Sequence, residues 1–260
     1  MMKDHIKFLN QLKELVSNKY HGKIVYVSIS GSDLYGFRSE DSDTDYRGSF
    51  MVKTNVLLGL FNQTETLEFE TYKKNGEVEN EAVLHELEKE LNLVLVGNCN
   101  ILENLFATPL LTSPIHKELQ ELALGYWNIK GIYGSYRGMA YENYKKFILN
   151  GKHTVKKYLY IIRALMSGIY ALENNVIEPN IQKLNESYKN ETVAELIDLK
   201  IRGQEKDPVN RMDRYDKVCD ELFEKIDNVY EKVSASRISN YDYSGVSNWL
   251  KEKRIEYLDL

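Results

Sequence analysis

Apolar positions Ile6, Leu9, Leu12, Leu15 and Val16 recur at helical spacing, so the front of the chain reads as an amphipathic helix. The run Lys23-Ile-Val-Tyr-Val-Ser-Ile-Ser30 is short, β-branched and nearly continuous, the pattern of a buried strand. Gly31-Ser32 stops that strand, Asp33 to Phe37 has room for one helical turn, and Thr44 to Val52 is extended again. Leu57 to Gly76 is polar and weakly patterned, whereas Val78 to Leu84 reads as a third strand leading into a helix from Glu86 to Val96. After Pro109 the period becomes helical over Ile115 to Trp127, Ile132 to Asn150, His153 to Glu173, Thr192 to Ile201 and Arg211 to Ser234. In the last of these, Tyr215, Val218, Cys219, Leu222, Ile226, Val229, Tyr230 and Val233 form one apolar stripe. The pattern predicts an α/β front half carrying a helical back half.

Composition narrows the class. Hydrophobic residues make up 43% and charged residues 28% of 260 residues, which excludes intrinsic disorder and leaves one or two domains. Lys plus Arg total 34 against 39 for Asp plus Glu, a net charge of −5. That excludes a protein coated in basic residues for polyanion binding but leaves room for a local basic cleft. Cys99 and Cys219 cannot build a disulfide framework and sit in no Cys-x-x-Cys pair, so a reducing, cytoplasmic setting is expected. No apolar run approaches the roughly 18 residues of a membrane span. Lys3, Asp4, Lys7, Lys13 and Glu14 interrupt the first helix, which therefore reads as amphipathic and not as a signal peptide.

The densest chemistry lies between Ser30 and Gly48. Gly31 lets a ligand approach the backbone, Ser32 adds a hydroxyl, and the N–H groups of the following turn can hold phosphate oxygens. Asp43 and Asp45 are two apart, so on a strand both carboxylates project from one face. Two hard oxygen ligands side by side suit Mg²⁺ bridging the phosphates of a nucleotide. A Walker A loop is excluded because Phe37 follows Gly36, and a calcium EF-hand loop because Tyr46 and Val52 stand where it needs Gly and Glu. On these letters alone, a polar turn with solvated carboxylates is the competing reading.

Two other stretches bear on a site. On the third strand Glu79, Glu81, Val83 and His85 share a face; an isolated histidine there is ordinarily structural. On the helix after His153, Lys156, Tyr160 and Arg163 line one stripe that Lys152 extends, opposite Val155, Leu159, Ile162, Met166 and Ile169. Without further information that basic stripe is a solvated face. Tyr133 to Lys146 interleaves aromatic and basic residues, which suits stacking on single-stranded RNA, but in a chain of 19 tyrosines helix packing is the more ordinary role.

The order strand, Gly-Ser, spacer, Asp-x-Asp resembles the DNA polymerase β-type nucleotidyltransferase superfamily. More closely, the chain resembles its bacterial and phage branch predicted to act in RNA repair. Gly31, Ser32, Tyr35, Gly36, Ser42, Asp43, Asp45 and Gly48 match that branch's Gly-Ser-x-x-Tyr-Gly and Ser-Asp-x-Asp-x-x-Gly. Val94 to Phe106 resembles its Gly-Asn-Pro-Asn-x-x-Glu block, with Cys99 in the place of the proline, and Lys156 to Arg163 its Lys-x-x-Tyr-x-x-Arg helix. The proline's replacement is expected to change a turn's rigidity and not the chemistry.

The resemblance implies an α+β fold: a small mixed nucleotidyltransferase sheet with flanking helices, then a mostly α-helical C-terminal part. It places a catalytic domain over residues 1–110 and a helical domain completing the cleft over 111–260. It further implies transfer of an NMP from an NTP to an acceptor hydroxyl, with pyrophosphate leaving. Asp43, Asp45 and Glu81 would hold two Mg²⁺ ions, with Mn²⁺ as a substitute; Glu79 and Glu86 are the alternatives to Glu81. Gly31 and Ser32 would hold the β- and γ-phosphates, Lys156 and Arg163 would neutralise the triphosphate, and Tyr160 would contact the base or offer its hydroxyl. The implied acceptor is an RNA 3′ end. A protein or small-molecule acceptor, and a catalytically silent nucleotide-binding or antitoxin-like protein, are the alternatives.

Overall fold

The computed structural model describes residues 2–39, 42–60, 65–203, 207–209, 212–235 and 242–258. Helix α1 (Met2–Tyr20) leads into β1 (Gly22–Ile29), the single turn α2 (Gly31–Leu34) and β2 (Thr44–Val52). Then follow the turn α3 (Thr54–Leu57), β3 (Thr66–Tyr72), β4 (Val78–Glu86), α4 (Leu87–Leu95), α5 (Cys99–Phe106) and β5 (Pro109–Thr112). Among the described residues the strands form one sheet in the order β3-β4-β2-β1-β5, with β2 and β4 parallel and the other neighbours antiparallel.

Alternation along the strands sorts the sheet into two faces. Tyr46 and Phe50 of β2, Ala82 and Leu84 of β4, Val27 and Leu67 pack with Phe8, Leu9, Leu12 and Val16 of α1. Asp45 and Arg47 of β2 and Glu81, Val83 and His85 of β4 therefore point to the other face. That face is covered in part by α4, α5 and α6 (Pro114–Gly125).

The remaining chain is helical: α7 (Ile129–Asn143) running into a π turn (Tyr144–Ile148), α8 (Val155–Asn174), α9 (Ile181–Tyr188), α10 (Glu191–Ile201), α11 (Met212–Ala235) and α12 (Ser244–Glu256). Helix α8 is the axis of this half and is buried without a break from Ile161 to Ile169. Gly168 permits that packing, since a Cβ there would lie 2.7 Å from Tyr136 Cβ of α7 and 2.8 Å from Ile226 Cδ1 of α11. One apolar cluster runs from Val25 and Tyr26 of the sheet to Val246 and Tyr257 at the end of the chain. No helix among the described residues is long and apolar enough to cross a membrane.

The α+β class and the succession of sheet and helical parts agree with the pattern of the sequence. β3 does not emerge from that pattern, because its alternation rests on Leu67 and Phe69 alone. The intervening Glu68 and Glu70 point outward on an edge strand, where charge discourages pairing with another chain. The four-residue β5 and helices α5, α9 and α12 were likewise not anticipated; the apolar stripe of α12 is short, with Val246 buried and Trp249 and Leu250 half-buried against the core. The helix expected over Ile132 to Asn150 is α-helical only to Asn143. Arg211, where the spacing starts the long helix, lies outside the described residues, as do Glu40 and Asp41.

Polar clamps reinforce the short apolar stripe of α12. Arg254 donates to both carboxylate oxygens of the buried Glu86 at 2.8 Å, and Thr54 donates to the Arg254 carbonyl at 2.5 Å. Removing one member of such a pair strands the other charge. Arg254→Met is expected to cost about 3 kcal/mol of unfolding free energy, with Glu86→Gln in the same chain restoring part of it, both read by urea denaturation. An unchanged midpoint in Arg254→Met would show that α12 is not anchored this way.

Candidate active site

The site is organised by the exit of β1 and the entry of β2. Ser30 N–H donates to the Asp45 carbonyl at 2.8 Å, and Gly31 then takes φ +63°, in the left-handed region. A Cβ on Gly31 would collide with Asp45 Oδ2, so the glycine is needed both for its backbone angle and for the space that the carboxylate occupies. In the parallel ladder Asp45 stands directly opposite Glu81.

Of the three acids that the sequence offered as the third ligand, Glu81 is the one opposite Asp45 in that register. Glu79 is exposed at the start of β4, and Glu86 is taken by Arg254 and by capping Glu88 N–H at the start of α4. Asp43 is not on the strand with Asp45: the ladder begins at Thr44, and Asp43 is an exposed residue just ahead of it.

The electrostatics are unbalanced toward negative charge. Burial raises the pKa of Asp45, Asp43, Glu81 and Asp33 raise it further, and Arg47 opposes them. Arg47 bridges the strands, 2.8 Å from Glu81 Oε1 and 3.5 Å from Asp45 Oδ1. Arg38 pairs with Asp33 and donates to the Ser42 carbonyl at 2.9 Å. The same loop is tied to the helical half by Lys200, a buried lysine of α10 that donates to Ser39 Oγ at 2.9 Å.

A cavity of about 340 Å³ opens beside Gly31 and Asp45 and extends past Arg47 and His85 to Glu90 of α4 and to Asn100 and Asn104 of α5. Tyr160 of α8 forms part of its rim. Ser32 stands in the turn α2, half-buried. His85 is half-buried, within 3.1 Å of Thr66 Oγ1, and its pKa is lowered by burial, Lys89 and Arg47. Glu90 is fully buried; Tyr26 donates its hydroxyl proton to Oε1 at 2.5 Å, and burial pushes the acid up to about 8. Glu90 Oε2 and Asn104 Oδ1 are buried without a hydrogen-bond partner.

Sequence reasoning missed Glu90, although the signal was present. It sits three residues after Leu87 and four before Val94, on the buried side of α4.

The stripe Lys156, Tyr160, Arg163 divides in the structure. Lys156 and Tyr160 border a second cavity of about 510 Å³, with Lys146, Phe147 and Lys157, and Tyr160 adjoins both cavities. Arg163 belongs to neither. It is 1% exposed, paired at 2.7 Å with Glu103 of α5, itself 0% exposed, and 3.7 Å from the Tyr35 ring. The expected direct contact with triphosphate is thus replaced by a buried ion pair, because Ile161, Ile162, Ala164 and Leu165 around it are all core.

Two further expectations resolve in the structure. Tyr133 and Arg137 both bond Asp227 of α11, and Tyr133 stacks on Tyr230 with centroids 4.0 Å apart, so the aromatic-basic segment packs helices. Cys99 N–H donates to Ser135 Oγ at 2.9 Å, a bond that proline at this first helical position could not make.

The chain matches the family described as RlaP, RNA repair pathway DNA polymerase beta, over residues 2–250. It is 25% identical over 242 residues to YcgL, an uncharacterized protein of Bacillus subtilis, covering 89% of this chain and 90% of that one. It is 27% identical over 180 residues to MJ0002, an uncharacterized protein of Methanocaldococcus jannaschii, covering 68% of this chain and 72% of the relative.

Glu90 makes stability depend on pH with a definite sign. Its folded pKa lies above its ordinary value of 4.5, so between about 4.5 and 8 the folded state binds more protons than the unfolded one. Stability is then greatest below that window and is lost as pH rises through it, by up to about 1.4 kcal/mol per pH unit. Glu90→Gln removes the dependence, so the variant's gain over the parent in urea midpoint should grow from pH 5 to pH 8. Parallel profiles for the two proteins would rule out a neutral Glu90.

Proposed function

The chain belongs to the RNA repair pathway DNA polymerase beta family, and from that membership we propose that it is a metal-dependent nucleotidyltransferase moving an NMP from an NTP to a hydroxyl of RNA, at a 3′ end. The observation that carries the reading is the placement of Asp45 opposite Glu81 and against Gly31, lining a cavity of about 340 Å³.

The acids fit a divalent cation. Among the described residues, four carboxylates (Asp33, Asp43, Asp45, Glu81) bear on this corner against the guanidiniums of Arg38 and Arg47, leaving two negative charges uncompensated. All are hard oxygen donors, the chemistry of Mg²⁺ or Mn²⁺. No group of three acids, histidines or cysteines among the described residues is close enough to hold an ion unaided. That suits Mg²⁺, which ordinarily takes one or two carboxylates and completes its shell with water and substrate phosphates. Asp43 and Asp45 would hold the metal, with Glu81 joining them by giving up Arg47. When bound, such ions supply Lewis-acid stabilisation to the phosphate and hydroxyl oxygens.

The chain's own residues then divide the work. Gly31 makes room for the Asp45 carboxylate at the β1 exit, and with Ser32 would meet the phosphates through the turn that follows. Lys146, Lys156 and Lys157 surround the second cavity, and their charge suits the polyanionic acceptor, with Tyr160 at the junction offering a ring for stacking. Arg163 acts at one remove, as a positioning residue beneath Tyr35. The Arg47 bridge gives weight to a second reading, a nucleotide binder that performs no transfer.

One experiment separates these. The protein is incubated with each α-phosphate-labelled NTP, Mg²⁺ or Mn²⁺, and separated RNA, protein and small-molecule fractions of a lysate. Label is expected in RNA, and Asp45→Asn should lower it by at least about 100-fold while keeping the parent's melting temperature within a few degrees. Equal labelling by Asp45→Asn would remove the proposed mechanism. Label in protein or in small molecules would redirect the acceptor, and NTP binding without label would select the silent binder.

A further inference from the structure

We propose that Glu90 and Asn104 form a subsite at the inner end of the first cavity that reads the hydrogen-bonding edge of the substrate's base; this rests on the nucleotidyltransferase reading of the same site. The two side chains come from different helices and both line a cavity that Asp45 also lines; Tyr26, which holds Glu90, pairs with Ser49, four residues along β2 from Asp45. Each is anchored by one of its polar atoms and has the other unengaged. Tyr26 donates to Glu90 Oε1, and Asn104 Nδ2 donates to the Asn100 carbonyl at 2.6 Å, while Glu90 Oε2 and Asn104 Oδ1 are buried with no partner. Buried polar atoms in folded proteins are ordinarily satisfied, so two side chains that line one cavity and each keep a buried polar atom without a partner point to a ligand that supplies what they lack.

The anchors bring the pair together. Tyr26 and Ser28 are two apart on one face of β1; Tyr26 holds Glu90, and Ser28 donates to the Asn104 carbonyl at 3.0 Å. Tyr26 is itself stacked on His116, with centroids 4.5 Å apart. Ser28 holds the Asn104 backbone, while the Tyr26 hydroxyl and the Asn100 carbonyl orient the Glu90 and Asn104 side chains before a ligand arrives, which lowers the cost of using them.

Their chemistry is complementary. Among the described residues Glu90 has Tyr26 on Oε1 and no partner on Oε2, and a carboxyl so deeply buried with no cation beside it keeps its proton. Oε1 accepts from Tyr26, so Oε2 carries the proton and donates, while Asn104 Oδ1 accepts. Adenine and cytosine present a ring-nitrogen acceptor beside an amine donor; guanine and uracil present a carbonyl acceptor beside a ring N–H, in the reverse order. With the triphosphate fixed at the Asp45 end, one order meets its complements and the other sets donor against donor and acceptor against acceptor.

The test is titration calorimetry of ATP, CTP, GTP and UTP, and of inorganic tripolyphosphate, each with Mg²⁺. The proteins are the parent, Glu90→Gln, Glu90→Met and Asn104→Leu. The parent is expected to separate ATP and CTP from GTP and UTP by tenfold or more. Glu90→Met and Asn104→Leu should bring all four nucleotides within about threefold with tripolyphosphate affinity unchanged. Glu90→Gln should keep the parent's order, because the amide N–H donates where the acid did. A parent that binds tripolyphosphate and all four nucleotides equally overturns the subsite alone, as does a Glu90→Met variant that retains the preference. A parent that binds neither nucleotide nor tripolyphosphate overturns the nucleotidyltransferase reading as well.

Discussion

A guanidinium cannot be taken out of water without a partner, and that constraint joins the two halves of this chain. Arg163 of α8 pairs with Glu103 of α5 at 2.7 Å, with both side chains fully enclosed. Desolvating each ion costs several kcal/mol, recovered only while the geometry is kept. The pair therefore fixes α5 against α8 more strictly than apolar packing alone would, because apolar surfaces tolerate sliding and paired charges do not. Tyr35 lies 3.7 Å over the guanidinium, and its carbonyl accepts from Ile181 N–H of α9. The segment that presents Gly31 to Asp45 is thus seated on the helical half, although every residue of the Gly-Ser and Asp-x-Asp pattern lies in the sheet half.

The parallel pairing of β2 with β4 does for the acids what the ion pair does for the helices. The chain leaves β2, forms the edge strand β3, and returns as β4 between β3 and β2. One register then assigns different surroundings to acids that look alike in sequence. Glu81 falls opposite Asp45 and is held by Arg47, while Glu86 falls opposite Phe50, where Arg254 from the end of the chain takes it. Two glutamates on one strand, five residues apart, thus become a candidate ligand and a structural clamp.

This separates what could be read in the sequence from what could not. β1 was legible because a β-branched run closed by glycine reports burial locally, and β2 and β4 because their extended stretches are bounded by polar residues or a following helix. The apolar stripes of α8 and α11 were legible for the same reason. The spacing of Lys156, Tyr160 and Arg163 is the same whether that side of the helix meets water or protein. What buries Arg163 is Glu103, 60 residues earlier, and no local period carries that information. Glu90 is the converse case: its place on the apolar stripe of α4 announced burial, but Tyr26, which holds it, lies 64 residues away. Local pattern gave the elements, and long-range partners gave the polar residues their roles.

Net charge is a similar quantity, accurate for the chain and uninformative for the cleft. At physiological salt the Debye length is about 8 Å, so acids on the far surface do little to a phosphate bound between the two cavities. What such a group meets is local: the Asp45 corner, with more carboxylates than guanidiniums, and beyond Tyr160 the cluster of Lys146, Lys156 and Lys157. Lys157 lies 3.6 Å from the Phe147 ring centroid, which holds one of these cations in place. Acids at one end and lysines at the other suit a reaction that, under the proposed function, transfers an NMP from a triphosphate to a hydroxyl of a polyanion and releases pyrophosphate. Under that reading the excess of acids at Asp45 would draw the cation, and the three lysines, with Glu142 beside them, would meet the acceptor's phosphates.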